Sequence, residues 1–246
     1  MAIDRYNLVT RHNPILQEVD YHSPLSVGNG ELAFTVDVTG LQTLYDSYRD
    51  RDFPLCTMSQ WGWHTEPERG KGEELSELYY SLDDLEMTEY SYHNRKVYYG
   101  VEMKPGNEQV YQWLRENPHR MNLARISFLY KGEDISPKEI SDIYQELNLY
   151  EGIIYSSFFL HGKRCQVETS CHKDQDMIGI KVRSDLLTEG DLKLMVSFSY
   201  GDSGMAGGDF SKREKHPTKL SKREDAFCLL ERTMDKANYY VSIASN

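Results

Sequence analysis

The sequence predicts a mainly β protein, an antiparallel β-sandwich carrying a few short helices. Three observations lead there. Apolar side chains recur at every second position, as in Leu32, Phe34, Val36 and Val38, or Leu192, Leu194, Val196, Phe198 and Tyr200. These runs are short and are separated by turn-forming residues such as Asn29-Gly30 and His161-Gly162. Tyrosine is abundant, at 18 of 246 residues. It suits pleated, half-buried surfaces, although its apolar ring face with a polar tip also suits sugars. Helical patterns do not alternate with strands, which excludes a parallel α/β sheet.

The first strand, 32–38, is launched by the turn Ser23-Pro24-Leu25-Ser26-Val27-Gly28-Asn29-Gly30, where Gly28 and Gly30 suit backbone conformations closed to other residues. By parity, Asp37 falls on the face opposite Phe34 and Val36. Residues 40–67 read as irregular and polar-aromatic; they contain Gln60-Trp61-Gly62-Trp63-His64, two of the three tryptophans. The acidic tract 73–84 fits either a short helix or a loop, and 90–103 a hairpin turning at Asn94-Arg95. Val110, Trp113 and Leu114 mark a helix over 107–116 that Pro118 ends. A strand follows within 121–131. Ser136-Pro137-Lys138-Glu139 has the form of a capping box, and Ile140, Ile143, Tyr144 and Leu147 then make a helical stripe.

From residue 149 the pattern is almost purely β. Strands at 153–160 and 165–171 turn at His161-Gly162-Lys163, and 177–184 and 192–200 follow. Strands at 227–232 and 239–243 turn at Met234-Asp235-Lys236. Between them, Lys212, Arg213, Lys215, His216, Lys219, Lys222 and Arg223 read as a solvated loop, because acidic residues interrupt them. Residues 201–208 are glycine-rich, but no amphipathic helix follows to face a phosphate, so this too reads as a flexible loop. The chain stops at Asn246 directly after a strand, as a piece of something longer would.

A hydrophobic share of 39% suffices to fill a core, and a formal charge of −11 argues against nucleic acid or an anionic membrane as partner. The cysteines Cys56, Cys165, Cys171 and Cys228 form no CxxC pair, and Cys171 and His172, adjacent on a strand, point to opposite faces. Structural thiols in a reducing compartment and no metal or cofactor are expected. With no apolar signal-like core at the N-terminus, the expected location is cytoplasmic.

The run 7–40 is similar to the N-termini of glycoside hydrolase family 65-like proteins, and the Gly28-Asn29-Gly30 turn resembles one in fucosidase family 95. Three further stretches agree: 59–64, 113–120, and 149–187 with Gly162 at its hairpin and Asp176 before the next strand. The resemblance implies one N-terminal β-sandwich domain over 1–246, a large two-sheet antiparallel β-sandwich (a super-sandwich), then a linker and an (α/α)6 barrel carrying a general-acid glutamate. That barrel would lie downstream, so no catalytic residue carries over. The implied role is a non-catalytic domain of a six-hairpin glycosidase or phosphorylase acting on α-glycosides with inversion. It would pack on its own barrel, shape the pocket for an oligo- or disaccharide, and support a homodimer. The alternative is a stand-alone carbohydrate-binding module.

Glycoside hydrolysis needs two carboxyl groups, about 5–5.5 or about 6.5–9.5 Å apart. Glu73-Glu74 and Asp83-Asp84 lie in polar runs expected to be solvated, and Asp37 is the more interesting acid. The candidates for sugar contact are Gln60, Trp61, Trp63, His64, His119 and Arg120. The two indoles would form a platform for a pyranose ring, with Gln60 and His64 exchanging hydrogen bonds. The preferred reading is that the tryptophans plug a seam toward the barrel, and the two roles can coexist at the barrel mouth. Arg120 would bind a carboxylate on the missing domain or cap the helix that precedes it.

Overall fold

The computed structural model describes residues 3–67, 79–100 and 102–246. The protein is mainly β, 44% strand against 14% helix, with antiparallel pairing throughout the described sheets. Contacts divide it into two compact units that interleave in sequence. The first comprises Met1–Gly62, Asn122–Ser199 and Gly204–Ser211, the second Trp63–Met121, Tyr200–Ser203 and Lys212–Asn246.

The first unit is sandwich-like. Its five-stranded sheet runs in the order Ile15–Leu16, Ile140–Asn148, Ile153–Leu160, Lys163–Cys171, Ile178–Arg183. Ile153–Leu160 alternates half-buried and buried positions along its whole length, so one face carries Ile154, Phe158 and Leu160 inward. A two-residue turn joins it to the next strand, with His161 at φ 48 and Gly162 at φ 78, the left-handed pair that matches strand twist. Against this face pack the strands Leu25–Gly28 and Leu32–Val36, and Arg125–Tyr130 from a third sheet. Val27, Phe34, Val36 and Phe128 meet Ile154, Phe158, Leu160 and Val167 in one core.

The Gly28–Gly30 turn uses its glycines for two different reasons. Gly30 sits at φ 93, whereas at Gly28 a Cβ would lie 2.6 Å from the Leu32 carbonyl oxygen. Between them, Asn29 Oδ1 accepts from the Glu31 and Leu32 amides at 2.9 and 2.8 Å. Its Nδ2 donates to the carbonyls of His172 and Gln175. The turn thereby anchors the loop ahead of Ile178–Arg183.

Several sequence expectations change. The capping box at Ser136 forms, with the Ser136 amide donating to Glu139 Oε2 at 2.7 Å, but it winds one 3-10 turn, Pro137–Glu139. Ile140–Asn148 is then a strand, not a helix. It is paired on both sides, and its β-branched residues favour that pairing. A bulge between Ser141 and Tyr144, with Asp142 at φ 50, adds one residue; inward positions then fall at 140, 143, 145 and 147, an offset that imitates helical spacing. Asp37 lies beyond the end of Leu32–Val36 and is fully buried, so strand parity does not govern it. Residues 40–67 contain a helix, Tyr45–Arg49, and the strands Thr57–Ser59 and Trp63–His64. Leu192–Ser197 ends before Tyr200, and Leu194 is exposed despite the alternation.

In the second unit, Thr218–Glu224, Phe227–Met234 and Ala237–Ala244 form a meander. Its first strand carries Lys219, Lys222 and Arg223 of the basic stretch read as a solvated loop; ahead of it Arg213–Lys215 is a 3-10 turn, and His216 is buried. Every residue of that strand is exposed, the character of a sheet edge protected by lysine. Helix Glu108–Glu116 forms as expected, and its Trp113 Nε1 donates to the Glu66 carbonyl. The tyrosine hairpin Thr88–Tyr92/Arg95–Tyr99 turns one residue early, at His93-Asn94, both at positive φ. Of the acidic tract 73–84, residues 73–78, including Glu73 and Glu74, lie outside the described residues; Leu82–Asp84 is a single 3-10 turn capped by Ser81. Among the described residues, no helix is long and apolar enough to cross a membrane.

Candidate functional site

The unit boundary falls between Gly62 and Trp63, so the two tryptophans read as one platform belong to different units. In the first unit, Trp61 follows Thr57–Ser59 on a turn closed by the Gly62 amide on the Ser59 carbonyl. Its indole Nε1 donates to Asp176 Oδ2 at 2.6 Å, and Ser59 Oγ donates to the same oxygen at 2.7 Å. The ring remains 42% exposed, with its orientation set by a charge-assisted bond. Gln60 is also exposed, and its backbone amide donates to the Glu31 carbonyl.

In the second unit, the strands Trp63–His64 and His119–Arg120 pair antiparallel, Trp63 opposite Arg120 and His64 opposite His119. Side chains alternate across a strand, so this register sorts the four candidates into two pairs on opposite faces. On one face the Arg120 guanidinium lies 4.1 Å from the centre of the Trp63 ring, which is 47% exposed. On the other face both histidines turn inward. His64 is 3% exposed, and its Nδ1 meets His119 Nε2 at 3.1 Å.

Two residues the sequence reading missed complete this cluster. Asp235, in the turn of the last hairpin, meets His64 Nε2 at 2.9 Å through its Oδ2, and the Tyr200 hydroxyl donates to that oxygen at 2.6 Å. They lie 171 and 35 residues from these partners in sequence. A turn aspartate at φ 48 gave no signal beyond turn propensity. Gly201 packs directly against this cluster, since a Cβ there would collide with the His64 ring.

Burial would raise the Asp235 carboxyl, but hydrogen bonds from His64 and Tyr200 outweigh it and hold the group below its ordinary value. Burial and then Asp235 push the Tyr200 phenol upward, so it stays a donor. Burial and then the charge of His64 hold His119 below the ordinary histidine value. His119 serves the helix end: its Nδ1 donates to the Glu116 carbonyl at 3.1 Å. Both nitrogens of each ring are therefore engaged, leaving no ring nitrogen to act as a general base on a substrate. His64 also points different nitrogens at its two partners, so the three groups do not converge on one ion. Among the described residues, no group of three or more His, Cys, Asp and Glu side chains is placed to hold a metal.

In the first unit, Asp37 is the buried acid. It accepts from the Thr39 amide at 2.8 Å, the Thr39 hydroxyl at 2.6 Å and the Leu44 amide at 2.6 Å, and burial pushes it up to about 6 against those bonds. Gln145 Nε2 ties the Asp37 carbonyl to Ser156, building a polar knot under the sheet. A carboxylate so enclosed organises the turn after the strand and is closed to a sugar. Comparison with protein-family profiles and with curated proteins finds no match to this chain.

Proposed function

We propose that the chain is a non-catalytic sugar-facing β domain of a cytoplasmic carbohydrate-active enzyme acting on α-glycosides, whose acid residues reside on a separate (α/α)6 barrel. In this reading the domain packs on that barrel and lends one wall to the saccharide pocket, and a homodimer would bury further surface. The observation that carries it is the pair of exposed but immobilised indoles: Trp61 held by Asp176, Trp63 held by Arg120. An aromatic face fixed in advance meets a pyranose ring at little cost in side-chain entropy. The enclosure of Asp37 and the engagement of both histidines support the absence of chemistry from this segment.

The test has two arms. Residues 1–246 incubated with α-glucosides, with and without phosphate, should give no turnover; turnover would sink the proposal. Calorimetry against a disaccharide and oligosaccharide panel should show little heat for the chain alone. Micromolar to millimolar binding lost in Trp61→Ala or Trp63→Ala would favour the second reading, an autonomous carbohydrate-binding module, which the exposure of both rings also supports.

A further inference from the structure

The cluster behind Trp63 has a proton requirement that its exposed neighbours do not. Glu116 offers a carbonyl, which only accepts, so His119 Nδ1 carries a hydrogen. Asp235 Oδ2 accepts from Tyr200 and faces His64 Nε2, so that nitrogen carries one too. The 3.1 Å contact between the rings then needs a single hydrogen between two nitrogens. Three ring hydrogens close the chain from Glu116 to Asp235, which makes one imidazolium shared by two rings opposite a carboxylate. A fourth hydrogen would set N–H against N–H within a buried contact.

We propose that the His64–His119 pair is an acid-sensitive clasp: a second imidazolium breaks the contact between the rings, parts Trp63–His64 from His119–Arg120, and frees Trp63 from its arginine stack.

The surroundings of the pair make the added charge costly. His119 is faced by His64 and, at longer range, by Asp202 and Glu66. Each of these acids already has a cation, Lys212 at 3.8 Å from Asp202 and Lys215 at 3.4 Å from Glu66. His64 is faced by Asp235 and by the edge of Tyr200, over whose ring Lys215 and Lys212 lie at 4.6 and 5.5 Å. Tyr79 adds its phenol near Asp235. Asp235 is thus the carboxylate in direct contact with the pair, and Lys215 already acts on it, so a second imidazolium would have to share it. The sign follows from His119. A histidine held below its ordinary value of 6.5 contributes stability above that pH and loses it as the pH falls through the folded value. The clasp therefore opens on the acid side of 6.5.

The experiment follows Trp63 in the full chain, as the fluorescence difference between wild type and Trp63→Phe, from pH 7.5 to 4.5. Imidazole proton resonances of His64 and His119 are recorded in parallel. One transition is expected with its midpoint below 6.5, shared by Trp63 and both histidines. His119→Gln should abolish it while far-UV circular dichroism is unchanged. Asp235→Asn, which removes the matching negative charge, should lower the midpoint by about one pH unit. A flat Trp63 signal, histidines that titrate independently of it, or an unaltered midpoint in either variant would overturn the clasp. None of these readouts uses a sugar, so the outcome stands apart from that of the proposed function.

Discussion

Asp37 shows how one side chain fixes a local structure. Its two carboxylate oxygens collect three donors from Thr39 and Leu44, which closes the turn between Leu32–Val36 and Tyr45–Arg49. Asp37→Asn replaces an acceptor with a donor facing the Leu44 amide and should cost about 1–3 kcal/mol in urea denaturation. Because burial raises the folded value to about 6 from 3.8, the wild-type side chain contributes most below the unfolded value and loses that contribution as pH rises through 6. The penalty of the variant should therefore be larger at pH 4.5 than at pH 7; an equal penalty would contradict the buried, raised carboxyl. At Gly201 the constraint is space and not conformation. Gly201→Ala would drive a methyl into the His64 ring and should cost about 1–3 kcal/mol. Gly30→Ala meets nothing within 4 Å and should cost only about 1 kcal/mol for its φ of 93. Thermal melts of the two variants separate the two causes.

Among elements, the strand Thr218–Glu224 is the most revealing. It is an edge with every residue exposed, and Lys219 and Lys222 lie 3.8 and 2.7 Å from Glu231 and Glu224. Such surface pairs stabilise little, so their service is to keep other strands off the edge. Lys219→Val with Lys222→Val should leave the melting temperature nearly unchanged yet produce concentration-dependent association in size-exclusion chromatography; a strictly monomeric double variant would refute that assignment. In Ile140–Asn148 the bulge at Asp142 decides which side chains face the core. Its effect could not be read from spacing, because a bulged strand and a short helix place Ile140 and Ile143 alike.

At the scale of the molecule, the two units differ in what holds them. The large apolar core, from Phe34 and Tyr48 to Phe158 and Leu186, belongs wholly to the first unit. Among its described residues, the second buries a smaller apolar set, Leu85, Met121, Tyr200, Met234 and Tyr239, together with His64, His216 and Arg232. Arg232 is fully buried, donating to the His216 carbonyl and the Thr218 hydroxyl. Amide exchange should accordingly be slowest in Ile153–Leu160 and Lys163–Cys171 and fastest in the exposed hairpin Thr88–Tyr92/Arg95–Tyr99. Equal protection in the two places would count against this division.

The alternation in residues 153–171, the His161-Gly162 turn, the Gly28–Gly30 turn and helix Glu108–Glu116 were legible in the sequence, because each is set by side-chain period or by backbone conformations that few residues adopt. The site was half legible: Trp63, His64, His119 and Arg120 stood out as residue types, but which of them meet did not. Pairing between segments 55 residues apart, and the arrival of Asp235 and Tyr200 at one imidazole, depend on sheet register and turn placement. The local pattern therefore determined the mainly β class and the hairpin of residues 153–171 by itself. Only the tertiary structure decided that 140–148 is a strand, that Asp37 is enclosed, and that two histidine rings meet nitrogen to nitrogen. Those outcomes are fixed by long-range hydrogen bonds and by exclusion of water, which no short window of residues encodes.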